Sequence, residues 1–163
     1  MDKKKSVIKE ILSYVIIIVV VVLFRTFIAT PVMVSGTSMD PTLKDKEIMI
    51  LNKMDKKFKR FEIVVLKTDH GDIIKRVIGL PGETIAAENG NIYINGRKIK
   101  YKYGSGTTKD FERVKIGKNE YFVLGDNREN SMDSRYYGAF NISKIKGSTS
   151  FIIFPFSKFG NVK

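Results

Sequence analysis

Asn91-Ile92-Tyr93-Ile94-Asn95-Gly96-Arg97-Lys98-Ile99-Lys100-Tyr101 places two short runs with apolar residues at alternate positions on either side of an Asn-Gly pair. Asn and Gly accept the positive φ angles of a type I′ turn, so this stretch predicts a tight β-hairpin. Short apolar runs recur around it at Val32–Val34, Glu47–Leu51, Ile63–Leu66, Ile73–Leu80, Tyr121–Leu124 and Ser150–Phe154. Gly, Asp and Asn separate them at the intervals of an antiparallel sheet. No segment after residue 30 keeps a long helical period, and no internal repeat is present. Residues 102–110 read as the most loop-like stretch, a mobile tip inside an insertion. The chain beyond residue 30 is therefore predicted to be mostly β.

The N-terminus has a different character. Lys3, Lys4, Lys5 and Lys9 precede Ile11–Phe24, fourteen residues without a charge and rich in Val and Ile. As a helix these span about 21 Å, short of the roughly 30 Å hydrocarbon core of a bilayer. Snorkelling of Arg25 to the headgroups extends the span to Ala29. A core helix would carry a polar face, and this run has none. A cleaved leader would want small residues at −3 and −1, and cleavage after Ala29 would put Phe27 at −3. The reading is a transmembrane anchor at 11–29 behind a basic cytoplasmic segment at 1–10. The lysine cluster before the anchor, against one arginine after it, puts residues 30–163 outside the cytoplasm.

Composition removes several chemistries. The 163 residues include no cysteine and a single histidine, His70, which excludes disulfides, thiolate metal sites, multi-histidine sites and a cysteine nucleophile. No metal and no cofactor are expected. The net charge is +12. Setting aside the five cations and two anions of residues 1–29 leaves +9 on the remainder. Solvated strand faces account for this, and so does a surface held against anionic lipid.

Three polar stretches could carry chemistry. Ser35-Gly36-Thr37-Ser38-Met39-Asp40-Pro41-Thr42-Leu43 follows the first strand and, taken alone, reads as an ordinary turn. In Asp72-Ile73-Ile74-Lys75-Arg76-Val77-Ile78, strand alternation puts Lys75 on the face of Ile73 and Val77, and Arg76 on the opposite face. A lysine on an apolar face is costly unless paired or neutral; the plain alternative is a snorkelling surface lysine. Gly125-Asp126-Asn127-Arg128-Glu129-Asn130-Ser131-Met132-Asp133-Ser134-Arg135 reads alone as a long polar loop.

In this order, behind an apolar N-terminal helix, the three stretches resemble those of bacterial type I signal peptidases, over nearly the whole chain. The resemblance implies the β fold shared by signal peptidases and self-cleaving repressors, with one N-terminal transmembrane helix and an insertion at about 84–118. It implies a membrane serine endopeptidase that removes signal peptides from exported preproteins. Ser38 would be the nucleophile and Lys75 the general base. Ser131 would hydrogen-bond the lysine, while Asp133 and Arg135 brace the site. Relatives with histidine at the lysine position belong to the endoplasmic-reticulum type, so His70 is left without a catalytic role.

The family pattern is departed from in two places. Gly36 stands where some members carry a serine that helps the oxyanion hole. The hole would then rest on the Ser38 N–H, with Gly36 allowing a close approach. Phe61-Glu62 stands where Gly-Asp often introduces a strand, and is read as a structural variation. Met33, Met39 and Ile73 are expected to line a shallow apolar cleft that takes a peptide as an added strand and small residues at −1 and −3. The expected partners are preprotein signal peptides and anionic membrane lipid. A catalytically silent homologue would lack Ser38 or Lys75. A basic β module binding nucleic acid through Tyr93, Tyr101 and Tyr103 would be on the wrong side of the membrane, so no nucleic acid is expected.

Overall fold

The hairpin forms as its sequence requires. Asn95 and Gly96 take φ of 50° and 78°, and Ile94 pairs with Arg97 across the turn. It belongs to the smaller of two antiparallel sheets in a computed structural model that describes residues 2–55 and 57–162. Strands in chain order are β1 Ala29–Met33, β2 Ile48–Asn52, β3 Ile63–Thr68, β4 Gly71–Gly79, β5 Thr84–Glu88 and β6 Asn91–Ile94. They continue as β7 Arg97–Lys98, β8 Phe111–Lys115, β9 Glu120–Leu124, β10 Phe140–Asn141, β11 Ile145–Phe154 and β12 Gly160–Asn161. The larger sheet runs β1-β2-β11-β3-β4-β9-β10, with β12 beside β11; the smaller runs β7-β6-β5-β8. The chain is mostly β, as its sequence reads.

Helix α1, Asp2–Phe27, carries the apolar segment. Its Val7–Phe27 stretch has 21 residues, none buried against the rest of the protein, and at 1.5 Å per residue reaches about 31 Å. It suffices to cross a bilayer without Ile28 and Ala29. The helix stops at Phe27 because Ala29 already pairs with Asn52 in the sheet, two residues short of the expected end. The Lys53 amine donates to the carbonyls of Arg25 (2.8 Å) and Thr26 (3.3 Å), placing a cation at the negative end of the helix. Met1 and the side chains of residues 2–6, part of the basic segment at 1–10, lie outside the described residues.

Burial follows strand alternation on β4. Ile73 and Val77 join Phe58, Val64, Leu66, Tyr121 and Val123; Ile74 joins Val34, Met39, Leu43, Met49, Ile63 and Ile152 on the other face. Beyond the irregularity at Val77/Gly79, Ile78 enters a third cluster with Ile85, Ile92, Ile94, Ile116, Phe122 and Leu124. The insertion thus has no separate core, because its isoleucines pack onto β4 and β9. Gly79 permits this, since a Cβ there would lie 2.3 Å from Ile116 Cδ1.

Residues 102–110 carry no regular strand, yet they are a docked strap and not the mobile tip expected. Ser105 N donates to Asp126 O, Arg128 N donates to Ser105 O, and the Arg128 guanidinium donates to Thr108 Oγ1. Tyr103 lies against the Arg76 guanidinium, 4.0 Å from ring centroid to Cζ. Small and polar residues read as loop in sequence; their partners come from segments 20 or more residues away. Phe61, where the family often has glycine, sits at φ 74°. Such a conformation is strained for a bulky side chain. Its ring packs 5.7 Å from Tyr101 and 5.8 Å from Tyr103, and its carbonyl accepts from Arg76 Nη1 at 2.8 Å.

Candidate active site

Ser38 lies on the turn between β1 and β2. Met39 and Leu43 are buried beneath that turn, and Asp40 N donates to Thr37 O. This anchoring leaves Ser38 partly exposed in a cleft of about 520 Å³. The 125–135 segment clamps the turn: Asn127 N donates to Ser38 O (3.0 Å) and Asn130 Nδ2 to Thr37 Oγ1 (2.8 Å). Among the described residues the Ser38 N–H has no hydrogen-bond partner, so it is free to donate into the cleft.

Lys75 reaches the same point from β4. Its backbone pairs with Val64 of β3, and its side chain is 3% exposed. Nζ donates to Ser38 Oγ at 2.6 Å and to Ile74 O at 3.0 Å. Burial lowers its pKa from 10.5 to about 8; the Asp133 and Asp126 charges oppose that shift and Arg135 adds to it. The structure therefore brings together the two sequence-predicted residues and supplies an amine that loses its proton at about pH 8, well below the ordinary lysine range.

Ser131 differs in detail from the expectation. Its hydroxyl donates to Asp133 Oδ2 at 2.7 Å, and the second bond of Lys75 goes to the Ile74 carbonyl. A carboxylate two residues away is the stronger acceptor for this hydroxyl. Asp133 is fully buried and also accepts from Gly125 N and from Arg135 Nε and Nη2. Gly125 lies under this junction: a Cβ would meet Ser131 Oγ at 2.2 Å and Ser38 O at 2.5 Å. Gly36 has φ 84° and donates its N–H to Asp45 Oδ1 at 2.8 Å. A Cβ on it would meet nothing within 4 Å, so backbone conformation requires glycine there, not a close approach.

Met33, Met39 and Ile73 all line the cleft, with Val32, Val34, Ile74, Met132 and Tyr137. Met33 is exposed, while Met39 is a buried floor residue that also belongs to the core. His70 sits in the exposed β3–β4 turn and lines no part of this cleft.

Sequence reading assigned no role to Asp126. It is fully buried and accepts from Arg76 Nε (2.9 Å) and Nη2 (2.6 Å), Thr42 Oγ1 (2.6 Å) and the Tyr101 hydroxyl (2.8 Å). This cluster joins the Ser38 turn, β4, Tyr101 just before the strap and the 125–135 segment. The cue available in sequence is an Asp-Asn-Arg run directly after a buried strand end, though its partners lie up to 84 residues away. Burial beside Asp126 pushes the Tyr101 hydroxyl far up, so it remains a donor. With Tyr101 and Tyr103 turned onto Arg128 and Arg76, they form no open stacking platform. Among the described residues no three His, Asp or Glu side chains gather as a metal site.

Residues 7–154 match the family model described as signal peptidase, peptidase S26. The chain is 40% identical to signal peptidase I of Bacillus amyloliquefaciens, over 99% of this chain and 96% of that protein. It is 40% identical to signal peptidase I S of Bacillus subtilis, over 96% and 94%. A crystal structure of a signal peptidase I from Enterococcus faecalis is similar at 31% identity with a TM-score of 0.50, covering 56% of this chain and 96% of that one.

Proposed function

The chain belongs to the signal peptidase family S26, and from that premise we propose that it is a membrane-anchored endopeptidase cleaving N-terminal signal peptides from exported preproteins. The observation that carries the mechanism is the 2.6 Å contact between Lys75 Nζ and Ser38 Oγ, made by an amine whose pKa is lowered to about 8. A serine hydroxyl is a weak nucleophile and needs a base in hydrogen-bond contact. Neutral Lys75 accepts the Ser38 proton as Oγ attacks the scissile carbonyl, and the resulting ammonium returns that proton to the leaving amine. A water activated by the same amine then hydrolyses the acyl-serine. In this reading the Ser38 N–H, which has no partner among the described residues, donates to the tetrahedral oxyanion, a contribution of about 3 kcal/mol per donor in acyl-transfer enzymes.

The sheet supports the route of the substrate. β1 pairs with β2 on one edge only, and β9 pairs with β4 only from Arg76 onward. The open edges of β1 and of Asp72–Ile74 both line the cleft, so an extended peptide can add as a strand beside them. Alternate side chains then point into the cleft next to Met33, Met39 and Ile73, where small residues fit. Because β1 begins two residues after α1, an anchor spanning the bilayer holds the cleft close to the lipid surface. Residues 1–10 are assigned to the cytoplasm, 11–29 to the membrane and 30–163, with the 84–118 insertion, to the outer side. The partners are signal peptides and anionic lipid.

The test uses the full chain in detergent with a preprotein whose signal peptide ends Ala-x-Ala. Ser38→Ala and Lys75→Ala are each expected to abolish cleavage. Retained cleavage by Lys75→Ala would remove the dyad.

A further inference from the structure

A second cavity, of about 530 Å³, shares no lining residue with the Ser38 cleft. It opens between the hairpin and the strap, and its walls include Lys98, Lys100, Gly104, Thr108 and Arg128. No Asp or Glu lines it. Both lysines are exposed, whereas Arg128 is 3% exposed.

Arg128 is a buried cation bonded only to neutral acceptors. Nε donates to Gly125 O (2.9 Å) and Nη1 to Thr108 Oγ1 (2.6 Å), and Nη2 has no partner among the described residues. The Tyr101 ring stacks 4.1 Å from Cζ. The neighbouring carboxylate, Asp126, is already engaged by Arg76. The other buried carboxylate of this segment, Asp133, is likewise taken, by Arg135, so neither carboxylate pairs with Arg128. An uncompensated buried charge is costly, and an anion nearby relieves that cost. Gly104 packs directly on this pair: a Cβ there would lie 2.9 Å from Arg128 Nη2 and 2.7 Å from the Tyr101 ring. Arg128 itself lines the cavity next to Gly104, and in so buried a place its field is weakly screened.

We propose that this cavity is an anion site for a phosphate group, contacted by Lys98 and Lys100 and drawn by the charge of Arg128 beneath Gly104. Inorganic phosphate offers up to two negative charges and a phosphodiester headgroup one, and both present more acceptor oxygens to these three cations than a carboxylate does. The group can come from soluble phosphate or from the headgroup of an anionic phospholipid. Because Arg128 also holds Gly125 O and gives its own carbonyl to Arg135 Nη1, occupancy steadies the segment that carries Ser131 and Asp133.

The test is calorimetric titration of the full chain, in uncharged detergent, with inorganic phosphate against chloride at matched ionic strength. Saturable binding is expected, weakened at least about tenfold in the Lys98→Gln/Lys100→Gln double variant. Both lysines are exposed and neither touches the Ser38 cleft, so basal cleavage should be unchanged. Repeating the titration in bilayer discs identifies the source. Weaker phosphate binding with phosphatidylglycerol than with phosphatidylcholine means that the headgroup already occupies the site; equal binding means a soluble phosphate. No saturable binding in detergent, or equal affinity in the double variant, would overturn the proposal.

Discussion

Replacing Lys75 with Met should make the protein more stable while abolishing its activity, with a gain that fades as pH rises. The folded protein holds this amine at a pKa of about 8, against 10.5 when unperturbed. Between those values the unfolded chain binds more protons than the folded one, so stability increases with pH across the window. At pH 7 the amine is charged in both states, and its burial costs about 3 kcal/mol. At pH 9.5 the folded amine is already neutral, and the remaining cost is about 1 kcal/mol. Met fills similar volume with no charge. It loses the bonds to Ser38 and Ile74 O, about 1 kcal/mol each, and that loss varies little with pH. The difference between the two pH values is therefore the cleaner quantity: the gain at pH 7 should exceed that at pH 9.5 by about 2 kcal/mol. For a domain of this size that amounts to about 4–8 °C in Tm. Thermal unfolding of both proteins in the same detergent from pH 7 to 9.5 measures it. A gain independent of pH, or one larger at pH 9.5, would refute the reasoning that burial lowers the Lys75 pKa.

The same pKa governs turnover: kcat/KM should rise with pH to a plateau above about 8, and His70→Ala should leave that limb in place. Asp133→Asn removes a charge that raises the Lys75 pKa, so its acid limb should move to lower pH even as the plateau falls; a limb moving upward would reverse the assigned electrostatics. Lys75→Arg should be inactive at every pH in a preprotein assay, since guanidinium stays protonated. Gly125→Ala should lose activity at least about 100-fold, because its methyl would push Ser131 and the Ser38 backbone apart, and a misplacement of about 1 Å costs that much. A preprotein with Phe at −1 should resist cleavage while Ala at −1 and −3 is cut, as tested by N-terminal sequencing of the product.

Local signals had local answers. An Asn-Gly pair between two short runs with alternating apolar positions is a hairpin wherever it is placed, because the turn requires φ angles that these two residues accept. Alternation on β4 put Lys75 and Arg76 on opposite faces, and a charge-free run from Ile11 to Phe24 has no polar face to show water. The three polar stretches were legible as a site only together, through their resemblance to a family, since each alone reads as an ordinary turn, strand or loop. Other features depended on segments far apart in the chain. The strap at 102–110 looks mobile in sequence because small polar residues dock only when Asp126, Arg128 and Arg76 arrive from elsewhere. Asp126 acquires its role through Arg76, Thr42 and Tyr101, none of which is near it in sequence. The Ser131 hydroxyl donates to Asp133, two residues on, a choice of partner that residue type alone does not make. Residue type and short-range period determined the strands and the apolar N-terminal helix, while the candidate dyad was read from the family resemblance of the three stretches. Burial depth, charge balance and the choice among competing hydrogen-bond partners are properties of the packed interior, and the tertiary structure alone decided them.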